Sequence, residues 1–174
     1  DAGYPLTCVA VNMSGSTLER GDVLGNVKTA LAAARLPAEH LELELTESEI
    51  MQQGDRCIET LDALRALGVR LSIDDFGTGY SSLLRLKRLP VNTLKIDQGF
   101  VADLPGSAHD SAISRAIIAL GQSLHLTIVA EGIETQAQHE LLRDMKCDIG
   151  QGYLYSKPQD AARITAHLAE CFKV

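Results

Sequence analysis

The sequence predicts a parallel α/β sheet, open or closed into a barrel. Short apolar runs alternate with helix-period segments through six strand–helix units, the alternation that builds parallel sheets with crossover helices. Polar residues fall at the C-terminal ends of the predicted strands, the side on which such sheets assemble their sites. At 174 residues, 45% hydrophobic and 22% charged, the chain can form one domain with a substantial core.

The elements follow in order. Residues 7–11 (TCVAV) read as the first strand, and Leu24, Val27, Leu31 and Ala34 recur at helical spacing behind it. Residues 41–45 (LELEL) alternate as a half-buried strand does, and Ile58, Leu61, Leu64 and Leu67 mark the next helix, with Gly68 as its terminator. A strand over 69–73 and a short helix over 82–89 precede Pro90, and Thr93–Ile96 is the fourth strand. Ile113, Ile117, Leu120 and Leu124 line a helix that leads into a strand over 126–130. Thr135 and Gln138 form a capping-box pattern ahead of Leu141, Leu142 and Met145. A brief strand over 147–149 follows, and after Pro158 a last helix shows Ala161, Ile164 and Leu168.

The net charge of −7 argues against a nucleic-acid polymer as partner, since backbone binders are basic. No apolar run approaches a membrane span, so a cytoplasmic domain without membrane contact from this segment is expected, with room for a membrane anchor elsewhere in a longer parent. Cys8, Cys57, Cys147 and Cys171 show no paired spacing and read as reduced thiols. The five histidines form no HxH or HExxH arrangement.

The strand ends carry the chemistry. Asn12 follows TCVAV, Glu44 and Glu47 lie at the end of LELEL, and Asp74 and Asp75 follow LSI. Lys95 and Asp97 flank Ile96, Glu131 and Glu134 follow TIVA, and Gln151 follows the last strand. Each of these residues alone also fits a turn, a cap or a solvated surface. Together they form an oxygen-rich face with one ammonium. Adjacent aspartates repel by roughly 4 kcal/mol at about 4 Å when the effective dielectric is near 20, so a cation is expected between them. Oxygen donors without thiolate or imidazole suit Mg²⁺ or Mn²⁺, and two such ions can activate water and clamp a phosphoryl group. Lys95 could orient that water or stabilise phosphate charge. Glu131 could accept a proton or bind metal through water. An unrelated metal-dependent barrel enzyme would satisfy the strand-end pattern equally well.

VNMS, ELTES, DDFGTGYSS, LKID, VAEGIET and QGYLYSKP, in that order and spacing, resemble the EAL domains, bacterial phosphodiesterases acting on cyclic di-GMP. The resemblance covers essentially the whole chain and implies a TIM-like (β/α) barrel, incomplete at its N-terminus here. It implies hydrolysis of cyclic di-GMP to the linear dinucleotide pGpG with two Mg²⁺ or Mn²⁺, Ca²⁺ being inhibitory. By motif, Asn12, Glu44 and Asp74 are similar to ligands of one metal, with Asp74 bridging to a second held by Asp75. Glu131 and Gln151 also resemble residues of the metal site. Lys95 and Glu131 resemble the catalytic pair, Glu131 as general base or as a ligand through water. Glu47, Gly77 and Gly79 resemble the stabilisers of the DDFGTGYSS loop. Asp97, Glu134, Lys157 and Pro158 resemble substrate-side positions, although SKP stands where the family often has SRP. The family's Glu-Ala-Leu segment, whose glutamate is a metal ligand, is absent from residues 1–174. The chain therefore reads as an EAL domain lacking its first strand, consistent with about 250 residues for a full eight-fold barrel. A homodimer formed near the loop after Asp75 is expected from the family. The rival reading is a catalytically silent EAL domain that binds cyclic di-GMP as a receptor.

Overall fold

Six strands form one parallel sheet in sequence order: β1 (Val9–Asn12), β2 (Leu41–Thr46), β3 (Arg70–Phe76), β4 (Thr93–Ile96), β5 (Thr127–Ala130) and β6 (Ile149–Gly150). Each pairs in parallel with the next. The sheet is an incomplete barrel, because among the described residues β1 and β6 each pair on one side only. The structure is a computed structural model and describes residues 8–52, 56–79 and 83–171.

The helices between the strands are α1 (Gly15–Arg20), α2 (Val23–Ala34), α3 (Glu47–Gln52), α4 (Arg56–Ala66), α5 (Leu83–Leu86), α6 (Ala108–Ser123), α7 (Gln136–Asp144) and α8 (Ala161–Cys171). Short 3₁₀ turns occupy Ala38–His40 and Gln98–Phe100. Four helices reach the next strand through the same hydrogen-bonded turn. After α4, Gly68 takes φ 101°; its N–H donates to Arg65 O (2.9 Å) and the Val69 N–H to Leu64 O (3.1 Å), closing a Schellman motif. In α2, α6 and α7 the equivalent left-handed residue is Arg35, His125 or Lys146, with the long bonds Leu36→Leu31, Leu126→Gly121 and Cys147→Leu142.

Strand pleating divides the sheet residues between two faces. Leu43, Leu45, Leu71, Ile73, Leu94, Ile96 and Ile128 are buried among helix residues such as Leu61, Leu64, Ile117 and Ile118. On the other face Glu42, Glu44, Arg70, Ser72, Asp74, Thr93 and Lys95 occupy the alternate positions, so the inside of the curled sheet is polar. LELEL is therefore covered on both sides, with Leu41, Glu42, Leu43 and Leu45 all buried. Its glutamates do not face bulk water as a half-buried strand would require.

Other boundaries moved. The third strand runs on through Asp74, Asp75 and Phe76, and the last is Ile149–Gly150. Asp148 lies in the preceding turn, where its Oδ2 accepts the Ile128 N–H at 2.8 Å. Helices α1 and α3 were hidden by their brevity, six residues each. Thr135 and Gln138 do form a reciprocal capping box. Residues 7 and 82, at the edges of two predicted elements, lie outside the described residues, as do Tyr80, Ser81 and Ser82 of the DDFGTGYSS motif.

Candidate metal and catalytic site

A break in strand β3 brings the two aspartates together. In a regular strand, neighbours point to opposite faces, so Asp74 and Asp75 would be separated by the sheet. The β3–β4 register shifts between Ile73 and Phe76, and Asp75 adopts φ 53°, a left-handed conformation that aspartate tolerates better than most residues. The Asp75 N–H donates to Asp74 Oδ1 at 3.0 Å. Carboxylate oxygens of Asp74, Asp75 and Glu131 consequently lie within 4.8 Å of one another at the C-terminal mouth of the sheet. Gly77 extends the turn at φ 101°, where a Cβ would collide with the Phe100 ring.

Lys95 enters this cluster from β4 with only 4% of its side chain exposed. Its Nζ lies 2.9 Å from Glu44 Oε1, 3.2 Å from Asp74 Oδ1 and 2.7 Å from Glu131 Oε1. Burial opposes the lysine charge, but hydrogen bonds to Glu131 and Glu44 outweigh it and hold the pKa above the ordinary lysine value. Burial raises Glu131, with Lys95 pulling it back. Burial, then the Asp74 and Asp97 carboxylates, raise Asp75. By count, negative charge is in excess here: Glu44, Asp74 and Glu131 contact the one ammonium, and Asp75 adjoins them. Clustered carboxylate oxygens of this kind fit a hard divalent cation.

Strand register places the other candidates around this centre. Asn12 is paired with Glu44 across β1 and β2, and the Met13 N–H donates to Glu44 O at 2.8 Å. A cavity of about 210 Å³ opens beside Glu131, lined by Gln98, Gly132, Glu134, Gln151, Gly152 and Tyr153. Gln151 is fixed there by its backbone, donating to Ala130 O at 2.9 Å and accepting from the Ile133 N–H at 3.0 Å.

The EAL domain family profile matches residues 2–158. The chain belongs to the EAL family. It is 49% identical over 167 residues to "Cyclic di-GMP phosphodiesterase NbdA" of Pseudomonas aeruginosa, covering 96% of this chain and 21% of the relative. It is 46% identical over 169 residues to "Bifunctional diguanylate cyclase/cyclic di-GMP phosphodiesterase MucR" of the same organism, covering 97% and 25%. The chain thus spans about a fifth to a quarter of the length of these relatives. Among solved structures it resembles "PaMucR Phosphodiesterase, c-di-GMP complex" with TM-score 0.87 and 47% identity, covering 90% of this chain and 64% of that one. Klebsiella pneumoniae BlrP1 in a manganese/cyclic-di-GMP complex matches with TM-score 0.82 and 34% identity, covering 88% and 40%. Its calcium/cyclic-di-GMP complex matches with TM-score 0.81 and 34% identity, covering 87% and 39%.

Within this EAL chain, Glu47 is 1% exposed and its Oε2 accepts the Gly77 N–H at 2.9 Å. A Cβ on Gly79 would press on the same carboxylate at 3.2 Å, so both loop glycines contact the region of Glu47. Asp97 caps the 3₁₀ turn, accepting the Gly99 N–H at 2.8 Å. Lys157 and Pro158 are exposed, and the Lys157 Nζ lies 5.7 Å from the centre of the Tyr153 ring.

Sequence reasoning passed over Glu49. Its Oε1 accepts the Gly15 N–H at 2.9 Å, while its Oε2 accepts the Thr46 N–H at 3.2 Å and the Thr46 hydroxyl at 2.8 Å. These bonds, the Gly15 N–H first, lower its pKa against the opposing effect of burial. One carboxylate thereby ties the loop after Asn12 to the end of β2. Thr46-x-x-Glu49 is itself a capping-box signature, legible once α3 is recognised.

Proposed function

We propose that this chain is the catalytic portion of a cyclic di-GMP phosphodiesterase, hydrolysing one phosphodiester to give linear pGpG. The observation that carries the reading is the cluster of Asp74, Asp75 and Glu131 oxygens within 4.8 Å, with the buried Lys95 ammonium among them. Asn12, Glu44, Asp74 and Asp75 would hold two Mg²⁺ or Mn²⁺, with Glu131 and Gln151 completing the set. Such ions, when bound, supply Lewis acidity and lower the pKa of coordinated water. Lys95 orients the attacking water and stabilises phosphate charge from its place between β2, β3 and β5. Glu131, 2.7 Å from Lys95, either accepts the water proton or binds metal through water. Glu47 with Gly77 and Gly79 holds the loop beside Asp75. The cavity next to Glu131 receives part of the substrate, with Glu134, Asp97, Lys157 and Pro158 on its approaches.

The same proposal has strands from outside this chain close the barrel and bring the family's missing glutamate. Its support is the exposed edges: Val9 and Val11 on β1 and Ile149 on β6 stand 45–48% exposed, which closing strands with the helices packed on them would cover. Leu83 and Leu84 on α5 are 59% and 75% exposed, supporting a homodimer contact beside that loop. No helix among the described residues is long and apolar enough to cross a membrane, and a cytoplasmic location is part of the proposal.

The test is hydrolysis of cyclic di-GMP by this chain and by a version extended upstream through the missing strand, with Mg²⁺, Mn²⁺ or Ca²⁺. Turnover by the extended version with Mg²⁺ or Mn²⁺, not with Ca²⁺, and its loss in Asp74→Ala, is the expected result. Tight binding of cyclic di-GMP without cleavage would overturn the enzyme reading and make the domain a receptor.

A further inference from the structure

At the opposite end of the sheet, the N-terminal ends of β3, β4 and β5 surround a second, larger cavity of about 610 Å³. It lies about 13 Å from the carboxylate cluster, the rise from Arg70 to Asp74 along β3 at about 3.3 Å per residue. Among the described residues Arg65, Arg70, Lys87 and His125 line it and no carboxylate does, although Arg70 shares its charge with Glu42 on the adjacent strand, Nε lying 3.2 Å from Oε2. That is notable in a chain with 23 acidic against 16 Lys and Arg residues. Leu86, Leu89 and Val91, each under 8% exposed, supply an apolar wall below the cations.

Each cation taken singly suits the helix C-terminus beside it, whose carbonyls carry partial negative charge. That explanation weakens here for two of the three helices. Carbonyls at the ends of α4 and α6 already accept the Schellman bonds from Gly68, Val69, His125 and Leu126. Arg65, in the last turn of α4, and His125, just past α6, are exposed, as is Lys87 after α5. Three different helices thus deliver Arg65, Lys87 and the His125 imidazole to one concavity whose volume falls in the range of small-molecule sites.

We propose that this cavity is an anion site for a nucleotide-sized phosphorylated ligand, separate from the carboxylate site. Arg65 offers a planar guanidinium matched to phosphate oxygens, and Lys87 adds a second charge at the rim. Arg70 adds N–H donors from a guanidinium whose charge Glu42 balances, His125 adds a ring nitrogen, and the Leu86–Leu89–Val91 wall takes a planar apolar moiety. The site does not depend on the phosphodiesterase reading.

The experiment is calorimetric titration of the chain with ATP and, separately, with inorganic pyrophosphate. EDTA is present throughout, so phosphate cannot bridge to the carboxylates through metal. Saturable ATP binding that weakens about tenfold or more in Arg65→Ala/Lys87→Ala, about one step of affinity per 1.4 kcal/mol, supports the site, provided Asp74→Ala leaves it unchanged. Stronger binding of ATP than of pyrophosphate assigns the apolar wall to the base, whereas equal binding reduces the ligand to its phosphates and overturns the nucleotide-sized assignment. No saturable binding by either probe, or binding untouched by the double variant, overturns the anion site. Arg65 and Lys87 are exposed, so the double variant folds as the parent does; its circular dichroism melt checks this.

Discussion

The inner face of the sheet holds two cation–carboxylate arrangements that differ in how their charges balance. At the foot, Arg70 and Glu42 from adjacent strands form one pair, with Nε 3.2 Å from Oε2, close enough for ion pairing though without aligned hydrogen-bond geometry. At the mouth, one ammonium faces Glu44, Asp74 and Glu131, with Asp75 adjoining through Asp74 and Glu131. A one-to-one pair meets a structural need and leaves no charge over. A surplus of carboxylate around a single lysine is a standing electrostatic cost that a multivalent cation relieves. The contrast in charge balance, more than burial or polarity, separates the site from the scaffold.

Lys95→Met breaks the mouth most severely. Removing one partner from a buried ion cluster costs about 3–5 kcal/mol, read as a fall in the urea midpoint without metal. Mn²⁺ should recover part of that loss, because the carboxylates then share another cation; an equal loss with and without Mn²⁺ would show that Lys95 is only a packing element. The lysine pKa also gives a sign. Since its folded value is raised, the stabilisation is fully present below the ordinary lysine value near 10.4 and is lost only as pH rises through the higher folded value. In carbon-detected NMR the Lys95 Cε signal should still report ammonium at a pH above the ordinary lysine value.

At the foot the comparison predicts a different pattern. Arg70→Met leaves Glu42 buried without its cation and costs roughly 1–3 kcal/mol. The double variant Glu42→Leu/Arg70→Met recovers most of this, because apolar replacement of a whole pair is often near neutral. Neither variant changes Mn²⁺ affinity measured by electron paramagnetic resonance. A matching loss of Mn²⁺ binding would erase the distinction between the two ends.

Much of this was legible in the residues. Alternation gave six strands in a parallel sheet, while the barrel came with the family resemblance, and Thr93–Ile96 was placed residue for residue because a both-sides-buried run sits between Pro90 and a polar break. Carboxylates at strand ends pointed to the mouth. Missing was the device that unites Asp74 and Asp75, since a left-handed aspartate inside a strand leaves no periodic signal. The polar interior was also hidden: Glu42 and Glu44 alternate with leucines just as solvent-facing residues would, and only the partners Arg70 and Lys95, distant in sequence, show that they are enclosed.

Glu49 lets the geometry of the mouth be loosened without removing a candidate ligand. Glu49→Gln keeps one acceptor oxygen but turns an NH₂ toward the N–H donors of either Gly15 or Thr46. Loss of a cap of this kind costs about 1 kcal/mol. Mn²⁺ affinity should fall about tenfold as the loop carrying Asn12 loosens, the low end of the roughly 10–100-fold range for groups that orient metal ligands. If stability falls and Mn²⁺ affinity does not, the clamp serves the fold alone.

The smallest effect returns to the foot. His125 occupies a left-handed position at φ 58°, where an L-residue with a side chain sits at a disadvantage of about 1–2 kcal/mol relative to right-handed backbone. Gly68 occupies the equivalent turn after α4 without that strain. His125→Gly should therefore raise stability by up to about 1 kcal/mol, the lower unfolded-state order of glycine offsetting part of the relief, seen as a melting temperature a few degrees higher. The same substitution removes an imidazole donor from the basal cavity and should weaken ATP binding there while leaving Mn²⁺ binding untouched. A gain in stability with a loss of anion affinity would mean that strain at this turn is retained for the imidazole it presents. A gain with no loss would leave His125 as an ordinary helix end and narrow the basal site to Arg65, Arg70 and Lys87.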